Sequence, residues 1–484
     1  MAKMRQTAKG SQSTTNLAGG KSYKLPNKTR FVTRVMTSLV NEPKYYGDTT
    51  NDLIADAQAL MKSDAAFVAK TAIYAREKMH LRTVPVLLTG LLGLDGKKYV
   101  RRTINRVCTR PDQLKDLVAF YNIVDESGKL ARSLKQVRLG VQDVFCTFDE
   151  YQLAKYNNSK DNIKMKDVFN LYHPSPTNSE QFALFGRLLK GTLKTPYTWE
   201  TELSKKGNTR EVWESIIDSG KLPYMAALRN LNNIIKVTPS NIDKVLGFLS
   251  DEKNVLRSKQ FPYRFFSAYA TIDGDPFLVK EVKRTLNKCI EISVSNVPSL
   301  SGRTFMSADN SGSMDCLMSG KSIMTYKNVA NIFQAMMVRS DPNSITSVFG
   351  GRFKVVDLDP DTGILHNADI LANTDVDHST HAYLAIEYLT KKKLFVDRII
   401  IFSDMQVYDL DGYPLGKYLD AYRKINPNVW LHCIDLAGYG TSVDSTSKTN
   451  VNLIAGWSDN VLHYIPMVEL GANGMVSDIE NISL

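Results

Sequence analysis

The chain has 484 residues, about three times the length of a typical single domain, so two or more domains or a long repeat array are expected. Apolar residues make up 43% and charged residues 23%, which excludes a wholly disordered, collagen-like or membrane-spanning protein. The net charge of +11 is uneven, because residues 301–484 hold only 14 basic side chains against 21 acidic ones. A polyanion-binding module fused to a different module has this asymmetry, as does a lysine-rich soluble surface.

The composition of the N-terminal part gives no sign of export. Residues 1–28 are rich in Gly, Ser, Thr, Asn and Lys without acidic residues, so we expect a flexible basic arm and no secretory signal. The most apolar stretch, residues 84–94, is about half as long as a membrane span, and no membrane partner is expected. Five scattered cysteines form neither a disulfide framework nor a zinc motif, which favours a cytoplasmic location.

Residues 29–297 have helical periodicity almost throughout. Apolar residues recur at spacings of three and four, and prolines divide the region at intervals that suit helix pairs. One example of this spacing is Leu53, Ile54, Ala57, Leu60 and Met61. We therefore predict an all-α array of HEAT-like helical repeats, in which each pair buries its apolar face on the next.

Residues 298–484 alternate between strand and helix patterns. The predicted strands are Thr304–Ala308, Ile345–Phe349, Phe353–Leu358, Arg398–Phe402, Val429–Leu436 and Val461–Ile465. The predicted helices are Lys321–Ser340, His381–Lys392 and Gly416–Ile425. The run Arg398–Phe402 is apolar on both faces, as is typical of a central strand covered by helices on both sides. The alternation predicts an α/β doubly wound, Rossmann-like sheet.

Oxygen-bearing side chains follow two of these strands. The sequence Asp309-Asn-Ser311-Gly-Ser313 ends the first strand, Asp404 ends the central strand, and Thr380 precedes a predicted helix. Ligands collect at the carboxyl ends of parallel strands, so these five side chains are expected to converge. Carboxylate and hydroxyl oxygens suit a hard divalent cation such as Mg²⁺. A capped turn before a helix is the alternative interpretation.

This pattern resembles the metal-ion-dependent adhesion site of a von Willebrand factor A domain, in which a divalent metal keeps one coordination position open for an acidic partner. The resemblance implies as metal ligands Asp309, Ser311, Ser313, Thr380 and Asp404. The family usually has Gly before the Thr, whereas this chain has Ser379 there. Asp375 and Asp377 could compensate or compete as ligands.

Three helical segments are similar to the TROVE module of the Ro ribonucleoprotein family. They are residues 155–174, residues 213–231 and the sequence Gln-Phe-Pro-Tyr-Arg at 260–264, all before the A-domain pattern. The resemblance implies a ring of HEAT-like helices that the A domain helps to close. It also implies binding of small structured RNA of the Y type on the outer basic face, and of the 3′ end of misfolded noncoding RNA in the central hole. A protein partner, such as an exoribonuclease, would bind through the A domain.

A basic segment inside the first of these stretches contains the candidate RNA-binding residues. They are Lys155, Lys160, Lys164, Lys166 and His173. Lysines contact phosphates, and a histidine donates to a phosphate or stacks on a base. One residue more than in the family separates the two ends of the segment, so the second basic contact falls at either Ser159 or Lys160. A solvated lysine face is the alternative interpretation.

Enzyme motifs are missing from the sequence. It contains no HExxH, no GxSxG and no phosphate-binding loop, so we predict a noncatalytic RNA-binding protein. The main alternative is a metal-dependent protein-interaction scaffold acting through the A domain. A third interpretation is a metal-dependent nuclease with Asp309 and Asp404 at its centre.

Overall fold

The structure, a computed structural model, describes residues 13–15, 21–37, 50–95, 98–125, 134–157, 161–260, 262–296, 300–318, 323–407, 414–439, 441–443, 449–456, 460–469 and 474–484. These residues fall into two compact units. The helical unit comprises Thr50–Tyr197 and Met475–Leu484. The sheet unit comprises the described residues up to Thr37 and those of Thr198–Gly474.

Three short elements open the described chain. They are β1 (Ser13–Thr15), β2 (Lys21–Lys24) and α1 (Asn27–Thr37). Strand β1 pairs antiparallel with β2, which pairs in turn with a short strand at Thr441–Ser442. The two strands differ from the flexible arm predicted for residues 1–28. Strand β1 pairs with the nearby β2, but the second partner of β2 lies over 400 residues away, so local composition carries no signal for that pairing.

The helical unit is built mainly from helices that pack on close neighbours in the chain. They are α2 (Thr50–Glu77), α3 (Thr83–Leu94), α4 (Val100–Val107), α5 (Pro111–Val124), α6 (Lys135–Phe145), α7 (Glu150–Lys155), α8 (Met165–Tyr172) and α9 (Ser179–Lys190). The spacing predicted for α2 is confirmed, because Leu53, Ala57 and Leu60 are buried. Helix α2 is interrupted at Asp64, whose carboxylate accepts the N–H of Phe67 at 3.0 Å and caps the second half.

More helices begin the main part of the sheet unit. They are α10 (Trp199–Lys206), α11 (Arg210–Asp218), α12 (Tyr224–Arg229), α13 (Leu231–Val237), α14 (Ile242–Ser250), α15 (Glu252–Ser258), α16 (Pro262–Thr271) and α17 (Pro276–Ser293), with a 3₁₀ turn at Val294–Asn296. The described residues between 29 and 296 contain no strand, as predicted. Trp213, in a family-like segment, is buried, and its indole N–H donates to Asn208 at 2.6 Å. Trp213 therefore serves as a core residue in this family-like segment.

A six-stranded sheet follows. Its strands are β3 (Thr304–Asp309), β4 (Ile345–Phe349), β5 (Phe353–Val356), β6 (Arg398–Ser403), β7 (Trp430–Asp435) and β9 (Val451–Ala455), while β8 (Thr441–Ser442) pairs with β2. The order is β5-β4-β3-β6-β7-β9, parallel except for the antiparallel edge strand β5. The helices are α18 (Tyr326–Ser340), α19 (Ile364–Ala372), α20 (Tyr383–Lys392), α21 (Leu415–Tyr422) and α22 (Asn460–Glu469). Helix α23 (Gly474–Glu480) follows, and its residues from Met475 onward belong to the helical unit.

The doubly wound sheet was predicted correctly, and β6 is buried along its whole length, as expected of a central strand. The strand predicted at Val461–Ile465 was wrong, because this run lies in α22. Its buried residues Leu462, Ile465 and Val468 follow a helical spacing of three. The sixth strand is instead β9, which pairs parallel with β7.

Helix α17 packs against the sheet's own helices. The Glu291 carboxylate accepts the N–H of Ile364 at 2.9 Å, at the start of α19, and lies 3.8 Å from the Arg339 guanidinium. The predicted module boundary at 297/298 therefore does not coincide with the division into compact units. None of the described helices combines the length and apolar character needed to cross a lipid bilayer.

Candidate metal and RNA sites

The parallel register of β3 and β6 places two aspartates side by side at the carboxyl ends of these two central strands. Ala308 pairs with Phe402, so Asp309 lies beside Ser403, and Asp404 follows directly. The Ser403 hydroxyl donates to Asp309 Oδ2 at 2.7 Å, and the backbone N–H of Ser311 donates to Asp309 Oδ1 at 2.9 Å. Both aspartates are fully buried. The sheet thus brings together the two carboxylates that the sequence predicted to converge.

The two carboxylates repel one another in a dry environment. Burial raises the pKa of Asp404, and the neighbouring charge of Asp309 raises it further. Burial also raises the pKa of Asp309, against the hydrogen bonds from Ser311 and Ser403. Asp404 Oδ1 accepts the backbone N–H of Gln406 at 3.0 Å, whereas Asp404 Oδ2 is buried without a hydrogen-bond partner. Such a pair needs a proton or a cation to offset the cost of burial.

The predicted hydroxyl ligands lie in two adjoining loops. The hydroxyl oxygens of Ser311 and Ser313 are 3.5 Å apart. The backbone N–H of Gly312 donates to the carbonyl of His378 at 3.1 Å, which packs the loop that carries Thr380 against the serine loop. Thr380 itself is buried. The missing glycine before the threonine therefore does not keep the two loops apart.

The two alternative carboxylates in the threonine loop have other partners. Asp375 forms an ion pair with Arg352 at 2.7 Å and is exposed. Asp377 adopts a left-handed backbone conformation with φ of 68°, and its carboxylate accepts the N–H of His378 at 2.6 Å. Both carboxylates thus make their contacts outside the Asp309–Asp404 pair.

The residues at this edge of the sheet fit a hard cation. All of the candidate ligand atoms are oxygens, one buried carboxylate oxygen lacks a hydrogen-bond partner, and burial raises the pKa of both carboxyl groups. Within the described ranges no group of three or more His, Cys, Asp and Glu side chains is placed to hold a metal ion. A cation here would therefore depend on the serine and threonine hydroxyls and on water as well as on the two aspartates.

The basic segment of the helical unit lies on α7, on α8 and in the turns beside them. Lys155 is the last residue of α7, Lys164 immediately precedes α8, and Lys166 is in its first turn. His173 follows α8 in a left-handed conformation with φ of 50°, and both Lys166 and His173 are exposed. Lys160 lies outside the described residues. The four described candidates thus belong to one short stretch of surface helices.

Buried apolar residues anchor this segment to the helical unit. Leu153, Met165, Val168 and Tyr172 are buried, while the lysines between them are not. The Phe169 ring lies 5.3 Å from the Phe185 ring, centroid to centroid. Apolar residues at helical spacing therefore fix the segment and leave its basic side chains toward solvent.

Two further polar anchors hold this segment. Glu150, at the start of α7, forms a bidentate ion pair with Arg187 of α9 at 2.9 and 3.0 Å. Asp167 accepts the backbone N–H of Lys164 at 2.9 Å and so caps α8. The acidic residue three positions after Lys164 was a local signal for this cap, whereas nothing in the local pattern connects Glu150 with Arg187.

Comparisons with known proteins agree with this architecture. A family model for the TROVE domain matches residues 32–194 and 182–339. Telomerase protein component 1 of Mus musculus is 27% identical over 308 residues, and that of Rattus norvegicus is 27% identical over 322 residues. These alignments cover 46% and 49% of this chain but only 12% of each relative, so the chain spans a small part of their length.

A solved structure has the same fold across most of the chain. The crystal structure of the Ro (RSR) protein of Deinococcus radiodurans superposes with a TM-score of 0.64 and 18% identity, covering 92% of this chain and 100% of that one. The TROVE match itself extends beyond residue 297 into α18, in keeping with the packing of α17 on α18 and α19. The predicted resemblance is confirmed: the chain belongs to the TROVE family, and its fold matches that of the Ro (RSR) protein.

Proposed function

We propose that this chain is a noncatalytic RNA-binding protein that takes small structured RNA, and the 3′ ends of misfolded noncoding RNA, as its ligands. The observation that carries the proposal is the basic segment on α7 and α8. Its apolar residues are buried in the helical unit, and its side chains Lys166 and His173 are exposed. Family membership supports RNA as the partner. The choice between these two kinds of RNA rests on the family resemblance.

The chemistry of the segment suits phosphate contacts that position a folded RNA. Lysines bind phosphates as point charges and release counterions, so affinity is expected to fall steeply with salt. His173 extends from a capped helix end, where its backbone N–H donates to the Phe169 carbonyl at 2.8 Å. This bond fixes the backbone position from which the exposed imidazole extends.

The proposal is tested by replacing Lys155 and His173 together with alanine. Affinity for a structured hairpin RNA is expected to fall at least tenfold, and the salt dependence should become shallower by about one unit for the lost lysine. The matched control is the double variant Lys253→Ala/His366→Ala, which removes one lysine and one histidine that are exposed in the sheet unit. Equal affinities of the folded test variant and wild type, measured by fluorescence anisotropy, would refute the assignment.

We also propose that the sheet unit holds a divalent cation, most simply Mg²⁺, at Asp309, Ser311, Ser313, Thr380 and Asp404. The unpartnered oxygen of Asp404 and the buried carboxylate pair support this. When bound, the cation would offer an open coordination position to an acidic group of a protein partner. Wild type in Mg²⁺ should then melt several degrees higher than in EDTA, and Asp404→Asn should not respond.

Removal of the cation distinguishes the two proposed functions. RNA binding by the helical unit should persist in EDTA, because none of its candidate residues belongs to the Asp309–Asp404 cluster. Loss of hairpin binding in EDTA would instead favour the nuclease interpretation, in which the RNA is bound at the metal site. Intact hairpin after prolonged incubation in Mg²⁺ is the expected result, and shortened RNA would contradict the noncatalytic assignment.

A further inference from the structure

Four side chains of the helical unit form a ladder in which cations and aromatic rings alternate. The Arg110 guanidinium carbon lies 5.4 Å from the centre of the Tyr156 ring. The Lys155 ammonium lies 5.9 Å from the same ring and 6.0 Å from the ring of Tyr151. These separations are within the range of cation–π attraction. We call Arg110, Tyr156, Lys155 and Tyr151 the cation–aromatic ladder.

The inner end of the ladder is held rigidly. The Arg110 guanidinium makes a bidentate pair with Asp112 at 3.0 and 2.7 Å and donates to the Tyr156 hydroxyl at 2.7 Å. The Lys115 ammonium donates to the Tyr156 carbonyl at 2.8 Å. With its charge balanced by Asp112, Arg110 serves mainly to fix and polarise the Tyr156 ring. The ladder is therefore preorganised before any ligand arrives.

The outer end of the ladder is open. Tyr151 is 49% exposed, whereas other tyrosines of this unit, such as Tyr121 and Tyr172, are fully buried. Tyr151 occupies the first turn of α7, whose start is fixed by the Glu150–Arg187 ion pair. An aromatic ring placed in water beside a lysine contributes little to the core. It has the form of a surface on which a flat, electron-rich ring can stack.

We propose that the ring of Tyr151 stacks on an unpaired nucleobase of the bound RNA, while Lys155 contacts the adjoining phosphate. This inference rests on the proposed RNA-binding function and adds a preference for unpaired nucleotides. Bases inside a duplex are already stacked on their neighbours and have no free face. A single-stranded or bulged base exposes its face to an aromatic side chain. The ladder thus selects a structural feature of RNA where the surrounding lysines recognise only charge.

The test uses two RNAs that differ in a single respect. Both contain the same hairpin and a single-stranded 3′ tail of the same length, but one tail carries adenine bases and the other is abasic. Their phosphate charge is equal, so any difference in affinity reports on the bases. The proteins are wild type, Tyr151→Ala, Tyr151→Phe and the control Phe277→Ala, which removes an aromatic side chain that is 86% exposed in the sheet unit.

Tyr151→Ala is expected to lose about tenfold in affinity for the adenine-tailed RNA and nothing for the abasic one. Tyr151→Phe, which keeps the ring, and Phe277→Ala should both bind like wild type. Equal effects of Tyr151→Ala on the two RNAs, or no effect on either, would overturn the inference while leaving RNA binding intact. If wild type binds neither RNA, the proposed function fails and the ladder inference fails with it. Far-UV circular dichroism establishes that each variant is folded.

Discussion

The two candidate sites of this protein solve opposite physical problems. In the sheet unit, Asp309 and Asp404 are fully buried and share negative charge, so their state depends on a proton or a cation. In the helical unit, the basic segment is exposed, and its anchors are apolar residues and ion pairs beneath it. Charge costs energy in the first site, whereas water already solvates it in the second. The effect of a substitution should therefore differ sharply between the two units.

The largest effect is expected at the sheet's buried ion pair. Arg398 is 3% exposed, and its Nε lies 2.7 Å from Glu469 Oε1, which is also 3.0 Å from His432 Nε2. Glu469→Leu leaves a buried guanidinium without a counter-charge, which costs about 3–5 kcal/mol. The measurement is the free energy of unfolding from urea denaturation. In the double variant Arg398→Leu/Glu469→Leu most of that loss should be recovered, and a single variant within about 1 kcal/mol of wild type would contradict the expectation.

The Asp309–Asp404 pair should make stability depend on pH when no cation is present. Burial raises the pKa of both groups above the ordinary value of about 3.9, so the folded state is favoured while they stay protonated. That stability is complete below the unfolded pKa and is lost as the pH rises through the raised values. In EDTA the melting temperature of the sheet unit should fall by roughly 5 °C between pH 5 and pH 8.

Added Mg²⁺ should oppose this fall, and increasingly so at higher pH, because the cation competes with protons for the same oxygens. Asp404→Asn removes one of the two charges and should flatten both the pH profile and the response to Mg²⁺. A profile that stays equally steep in this variant would show that another group titrates. Differential scanning calorimetry at a series of pH values measures both effects.

The difference between the sites also explains what could be predicted from the sequence. Parallel strands place their carboxyl ends at one edge, so Asp309 and Asp404 could be brought together from strand order alone. The hydroxyls of Ser311, Ser313 and Thr380 were also expected to converge there, but the packing of Gly312 on His378 was not visible in the pattern. The repeating topology therefore made the placement of these two aspartates predictable.

No comparable topological rule predicts which side chains meet in the basic segment. The lysines were named from the family resemblance and from their clustering, but Arg110 lies 46 residues before Tyr156 and joins the ladder only through the packing of α5 against later elements. The sequence prediction was also wrong at α22, because a short apolar run followed by Pro466 has the pattern of a strand. Contacts between short helices depend on side-chain shapes that periodicity does not encode.

A moderate effect is expected at the cap of α7, which carries Tyr151 and Lys155. The Asp149 carboxylate accepts the backbone N–H of Gln152 at 2.7 Å, and the Gln152 side chain accepts that of Asp149 at 3.1 Å. Asp149→Ala should cost about 1 kcal/mol, and amide hydrogen exchange should report the loss within α7. Asp149→Asn keeps a capping oxygen and should behave like wild type. Equal protection of α7 in the alanine variant would contradict the assigned cap.

The smallest effect should come from a well-formed ion pair on the surface of the helical unit. Arg101 and Asp143 pair at 2.7 and 2.9 Å, and the side chains are 45% and 33% exposed. The hydrogen bond from Arg101 lowers the pKa of Asp143. The pair therefore stabilises the folded state above the pKa that Asp143 has in the unfolded chain, and this stabilisation is lost as the pH falls through the lowered pKa. Water solvates both partners when they separate, so Asp143→Ala should cost less than about 1 kcal/mol. A double-mutant cycle with Arg101→Ala measures the coupling, and a value near that of Arg398 and Glu469 would remove the contrast between the two units.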